Sequence, residues 1–262
     1  MASSSAPAGF PAHLRAWRRR ERVSQLALSL HAGVSQRHLS HLESGRSQPS
    51  RAMVLLLGQA LRAPLRERNE ALLAAGYAPA FRATELDHPA MAPVLEAVER
   101  VLGHHAPYPA VAVDREWTVR RANAPFQRLV DLLMPGEPAP LNLMRLFFRK
   151  DGLRPHVANW DVAAPLLWQR ACREAEADGT GRVRAILQEL DPGTEAWATA
   201  PRVDLVPVLP LVLEVGGRRC ALFSVIATFG TAQDITTDEL RLESFFPADE
   251  ATRDLFLELA GA

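Results

Sequence analysis

The spacing of three serines limits the fold more than any other feature. Ser24, Ser35 and Ser50 each stand just before an apolar-periodic run, where a side-chain oxygen can cap the free N–H groups of a helix start. The first two runs, SQLALSLHAG and SQRHLSHLESG, stop at Gly33 and Gly45. Helices cut this short cannot form a long bundle and must pack as a compact cluster. A basic amphipathic stretch, AHLRAWRRRER, precedes them, with Leu14 and Trp17 three apart. PSRAMVLLLGQALR and PLRERNEALLAAGY follow, with Pro64 at a first-turn position and Gly76 past the end. The pattern predicts five short helices over residues 11–76.

The third helix of this set has two faces. Leu39 and Leu42 point one way, while Gln36, Ser40 and Ser44, with Arg37 and His41, form a stripe on the other. Gln can pair bidentately with adenine and Arg with guanine, and Ser or His can serve a base or a phosphate. Any soluble helix carries a polar stripe, so the surroundings matter. Residues 1–82 hold twelve Arg against four Glu, a net of +8; the chain as a whole is neutral, so the remainder stands at −8. A basic first part on an acidic remainder points to a polyanion partner for the first part alone.

Ser24-Gln25, Ala27, Gly33-Val34-Ser35, Leu39-Ser40, Glu43-Ser44-Gly45-Arg46 and Pro49 together resemble the lambda-repressor/Xre family of helix-turn-helix domains, over roughly residues 11–62. The resemblance implies a recognition helix at 35–44 lying in the major groove of double-stranded DNA. Gln25, Ser35, Gln36, Arg37, Ser40, His41 and Arg46 are then the candidate DNA contacts. It also implies a structural ion pair, Arg18 to Glu43, between the first and third helices.

Residues 1–9 read as a disordered tail, 10–76 as the helical domain, 77–88 as a linker and 89–262 as a second domain. In the second domain, helix is expected at about 90–103, two short strands in YPAVAVDREWTVRRAN, and helix in ANAPFQRLVDLL. Residues 141–190 look mainly helical, with Gly152, Pro155 and Gly179 as breaks, and DPGTEAWATAP reads as a loop. Gly216-Gly217 between VPVLPLVLEV and RRCALFSVIATFG signals a two-residue hairpin with Glu214 opposite Arg219. TTDE (236–239) is taken as a turn before a strand, LRLESFF, and ADEATRDLFLELA as a closing helix. The fold class is therefore α+β with two domains: an all-α five-helix domain, then a PAS-like five-stranded antiparallel sheet with inserted helices.

No nucleophile elbow, dinucleotide fingerprint, P-loop or HExxH motif is present. His104 and His105 are sequence neighbours and cannot share a helix face; His38 and His41 lack a carboxylate or thiolate partner, and His156 is alone. Cys172 and Cys220 fit no metal or redox spacing and suit a reducing cytosol. The longest apolar run, LVPVLPLVLEV, is too short to span a bilayer. These features predict a soluble cytoplasmic protein that is not an enzyme and holds no metal. Lys150 is the only lysine, and Ala, Pro and Arg abound, as in GC-rich bacterial genomes.

PYPAVAVDREWTVRRAN, LNLMRLFFRKDGLRPHVANW and LFSVIATFGTAQDITTDELRLESFFPADEAT resemble the MmyB-like transcription regulators, and the likeness covers nearly the whole chain. It implies an Xre-type helix-turn-helix joined to a PAS-like domain that holds a fatty-acid-like ligand, in regulators linked to antibiotic metabolism in actinomycetes. The family's FHPDG reads FRKDG here, with Arg149 and Lys150 in place of His and Pro. A fatty-acid site needs an apolar tube and a polar anchor. Phe147, Phe148, Trp160, Leu211, Leu222, Phe223 and Ile226 are wall candidates, and Arg145 is the candidate anchor because its fork can take both carboxylate oxygens. Asn123, Asn142 and Asn159 could assist, although Asn123 and Asn159 could equally cap the helices that follow. The expected partners are double-stranded DNA with a near-palindromic operator, a small apolar acid and a second copy of the chain. Two alternatives remain open for the second domain: a ligand-free dimerisation or docking module, and an enzyme fused to a DNA reader.

Overall fold

A computed structural model describes residues 9–178, 181–190, 207, 208 and 210–261. The expected tail up to residue 8, the break at Gly179 and the loop DPGTEAWATAP lie outside the described residues. The chain divides into two units, residues 1–84 with 231–238, and residues 85–230 with 239–262.

The first unit contains α1 (Phe10–Arg20), α2 (Gln25–Ala32), α3 (Gln36–Glu43), α4 (Arg51–Ala60) and α5 (Leu65–Ala74). The three serines do what their position requires. Ser24, Ser35 and Ser50 accept from the backbone N–H of Ala27, His38 and Met53 at 3.1–3.2 Å. Gly33 closes α2 at φ +66, a left-handed conformation that a side chain would oppose. Leu14, Trp17, Leu28, Leu39, Leu42 and Leu57 are almost fully buried together. Each such side chain contributes about 1.5–3 kcal/mol through removal from water.

The fifth helix has an uncapped start, because Pro64 has no side-chain acceptor. The cap comes from far along the chain: Asp238 Oδ2 accepts from Leu65 N at 3.0 Å. The same distant segment is fixed by Asp234, which accepts from Thr84 N at 3.1 Å and from its hydroxyl at 2.6 Å, while Ile235 N donates to Arg82 O. Between α5 and Thr84, the buried Asn69 accepts from Ala80 N and Phe81 N and donates to Phe81 O.

The second unit opens with a 3₁₀ turn (Pro89–Met91) and α6 (Ala92–His104). β1 (Ala110–Val113), β2 (Val119–Ala122), α7 (Ala124–Leu133), α8 (Leu143–Phe148), α9 (Trp160–Ala177) and α10 (Arg182–Glu189) follow. The chain ends with β3 (Leu211–Val215), β4 (Arg218–Thr228), α11 (Ile235–Glu239), β5 (Arg241–Pro247) and α12 (Glu250–Gly261). The five strands form one antiparallel sheet in the order β2-β1-β5-β4-β3. Gly216 and Gly217 both have positive φ, as a tight hairpin between twisted strands demands, and Glu214 pairs with Arg219. One local expectation is corrected. TTDE is not a plain turn but lies within α11, because Asp234 Oδ1 accepts from Thr236 N and starts the helix.

Candidate functional site

The polar face of α3 is held from behind. Arg18 meets Glu43 with two contacts, Nε to Oε1 at 2.6 Å and Nη2 to Oε2 at 3.1 Å. Gln25 donates to the same carboxylate at 2.8 Å, and Arg15 donates to the Glu43 carbonyl. Burial pushes the Glu43 carboxyl up, yet the hydrogen bonds from Arg18 and Gln25 and the charges of Arg18 and Arg15 outweigh it, so its pKa is lowered. The clamp therefore joins α1, α2 and the end of α3 around one ionised group. Gln25, a candidate phosphate contact, spends its amide N–H on this clamp.

In front, Gln36, Arg37, Ser40, Ser44 and Arg46 are exposed, whereas His41 is half-buried. Ser35 is exposed too, with its hydroxyl engaged as the helix cap. Arg37 and Arg46 have no carboxylate partner among the described residues, while Arg18 and Arg20 are spent inside, on Glu43 and Glu67. The arrangement gives a rigid helix whose outward side chains can donate and accept at base edges, with unpaired arginines for phosphates.

The second unit contains a cavity of about 390 Å³ between the sheet and α7, α8 and α9. Phe126, Leu129 and Leu133 line it from α7, Phe147 and Phe148 from α8, and Ala163 and Leu167 from α9. Among the described lining residues, charge and hydroxyl groups come only from Arg170, Arg173, Ser224 and Glu243. A volume in the range of small-molecule sites, an apolar wall and a few convergent polar groups are the features of a ligand pocket.

The candidates named from sequence divide. Phe147, Phe148, Leu211, Leu222 and Phe223 line the cavity. The Phe223 ring also stacks on Phe246, which strand alternation puts on the opposite sheet face from Phe245. Trp160 stands outside the lining, stacked on Phe147 at 5.0 Å, and Ile226 sits opposite Glu243 in the sheet. Arg145, the expected anchor, lies elsewhere. Its Nε and Nη2 take both oxygens of Glu189 at 3.0 and 2.7 Å in an exposed pair.

The three asparagines are occupied by backbone. Asn123 accepts from Phe126 N and Ala110 N and donates to Leu102 O and Tyr108 O, which uses all its capacity. Asn142 caps α8 and donates to Glu116 O. Asn159 does not cap α9; it ties β3 through Val212 N and Pro210 O. In FRKDG, Arg149 binds Glu137 at 2.6 Å and Asp151 at 2.6 Å. A Cβ on Gly152 would stand 2.3 Å from Leu146 O, so only glycine fits there.

The polar end of the cavity left two signals in the sequence. Ala163, Leu167, Arg170 and Glu174 fall on one helix stripe, so Arg170 follows the apolar lining. In β5, Arg241, Glu243 and Phe245 share one side by alternation.

The model of a helix-turn-helix domain matches residues 10–71, and that of the MmyB-like transcription regulator ligand binding domain matches residues 94–259. No curated protein matches. A solved structure described as an RNA-binding light-oxygen-voltage receptor matches with 17% identity over 96% of this chain, at a TM-score of 0.28. The chain spans 63% of that receptor's length, and so poor a superposition carries no argument.

Proposed function

We propose that this chain, which belongs to the MmyB-like transcription regulators, reads operator DNA through the exposed face of α3 and senses an apolar small acid in the cavity of its second unit. The cavity carries the sensor reading: a filled core would suit a docking module, whereas an apolar space of about 390 Å³ with one polar end suits a chain-like amphiphile such as a fatty acid. The clamp behind α3 supports the reader, because it fixes the helix while leaving Gln36, Arg37 and Ser40 outward. The reader acts as a homodimer on a near-palindromic operator, with half-sites about one helical turn apart. Its role is regulatory and not catalytic, and its place is the cytoplasm.

Coupling has a covalent route. Residues 231–238, which cap α5 and hold Thr84, join β4 to β5, the strands that supply Ser224 and Glu243 to the cavity. A ligand that shifts these strands bears on the segment anchored in the first unit. A coupling of about 1–3 kcal/mol changes operator affinity roughly 5- to 150-fold.

Selection of bound fragments from a random DNA library, followed by titration, tests the reader. Gln36→Ala and Arg37→Ala lower the preference for the selected sequence, while Arg46→Ala weakens binding to all sequences alike. Binding weakens with added salt along a straight log–log line. Failure of the full chain to retard any DNA at low salt contradicts the assignment.

A further inference from the structure

Glu243 is the one carboxylate in the cavity lining among the described residues, and it is 6% exposed. It sits mid-sheet, with Val111 on one neighbouring strand and Ile226 on the other. Burial pushes its carboxyl up. The hydrogen bond with Ser224 and the charge of Arg170 pull it down, Glu174 pushes it up and Arg241 pulls it down; the net direction is up.

The groups facing Glu243 are fixed. From α9 come Arg170 and Glu174, with Arg173 in the same cavity lining; β5 adds Arg241, β4 offers Ser224, and β1 pairs Val111 with it. Glu174 is tied by Trp117 Nε1 at 2.9 Å, by Arg170 Nε at 3.1 Å and by Arg241 Nη1 at 2.7 Å. The Arg170 guanidinium also lies over the Trp117 ring, 4.6 Å from its centre. Trp117 holds φ +65, a strained conformation for a bulky side chain, which the surrounding contacts must maintain. Arg170 is thus aimed by a rigid frame, and its Nη1 stops 4.0 Å from Glu243 Oε1. That gap is too long for a hydrogen bond, and an oxygen placed beside it could reach both groups. Three arginines against the engaged Glu174 make this end of the cavity favour an anion.

Resting on the cavity reading above, we propose that Glu243 is the specificity-determining residue for an anionic head group. One head-group oxygen takes Arg170, and the other accepts a hydrogen bond from the Glu243 carboxylic acid, so that binding carries one proton onto the protein. The proton goes to Glu243, from solvent, whenever the free protein holds it ionised. A neutral alcohol of the same chain length lacks the charge for Arg170 and binds more weakly. An ionised Glu243 beside a bound anion would be repelled, which is why the proton and the ligand enter together.

Calorimetric titration of the full chain tests this with dodecanoate, dodecan-1-ol and decane-1-sulfonate, the last being ionised at every working pH. For the sulfonate, the expected result is proton uptake that grows as pH rises through the Glu243 titration, read as a binding heat that depends on the ionisation heat of the buffer. Its affinity falls up to tenfold per pH unit above the Glu243 titration. Dodecanol binds more weakly than dodecanoate, and Glu243→Gln flattens the pH dependence. Sulfonate binding with no proton uptake at any pH across the titration, or an unchanged pH profile in Glu243→Gln, overturns the head-group inference and leaves the cavity reading standing. If none of the three amphiphiles binds, both fall. The buffer comparison needs only the wild-type chain, so the test does not depend on how the variant folds.

Discussion

Glu43 and Glu243 are both shielded from solvent, at 5% and 6% exposure, but the Glu243 carboxyl lies deeper in the protein, and the two carboxyls shift in opposite directions. Around Glu43, Arg18 and Gln25 close every approach and the group stays charged. Around Glu243 the nearest guanidinium stops 4.0 Å away, the cavity opens alongside, and burial wins. Solvent exposure alone therefore does not tell a structural acid from a site acid; depth in the protein and whether the partners complete the shell do. The same contrast runs through the two units. The first packs short helices around a closed core in which Leu39, Leu42, Val54 and Leu57 are all at 0% exposure. The second folds its largest cluster around a space.

The largest expected effect is on that pair. Glu43→Ala leaves Arg18 and Gln25 without their shared acceptor and destabilises the first unit by about 3 kcal/mol, read as a lower denaturant midpoint. Glu243→Gln costs less, since no hydrogen-bonded arginine loses its partner. Their pH dependences oppose each other as well. The Glu43 pKa is lowered on folding, so its stabilisation is present above the ordinary carboxylate value and lost as pH falls through the folded value. The Glu243 pKa is raised, so its contribution is present below the ordinary value and lost as pH rises through the folded one. Equal midpoints for both variants across pH would break the comparison.

Volume gives the next contrast. Ala71→Leu overpacks a closed core and costs about 1–3 kcal/mol. Ala163→Leu projects into the cavity, leaves the melting temperature near wild type and removes amphiphile binding, as calorimetry would report. A smaller effect is expected at the distant cap. Asp238→Ala removes the acceptor for Leu65 N, costs about 1 kcal/mol and weakens the influence of ligand on DNA affinity. The smallest is Arg145→Ala, where an exposed pair with Glu189 is lost: a stability change within about 1 kcal/mol and unchanged ligand affinity.

Local chemistry made much of the fold legible. Ser24, Ser35 and Ser50 act on N–H groups three residues away, and Gly216-Gly217 sets its hairpin alone, so each reads directly from the chain. The placement of β5 beside β1 depends on pairings more than a hundred residues apart and has no local marker. The anchor was illegible for a related reason. Arg145 has the fork that suits a carboxylate, and Glu189, 44 residues on, takes it. Arg170 takes its direction from Trp117, distant in sequence, and from Glu174. Asp238 falls in the stretch read as a turn because the group it caps lies on α5, and Asp234, which holds Thr84, has no local marker.

The most direct test is the affinity of the full chain for a DNA fragment that it has itself selected, with and without saturating dodecanoate, in the wild type and in Ala163→Leu. The account predicts a several-fold change in dissociation constant for the wild type and none for the variant, whose DNA affinity without dodecanoate matches wild type. A wild-type affinity indifferent to dodecanoate, or the same change in both proteins, would contradict it.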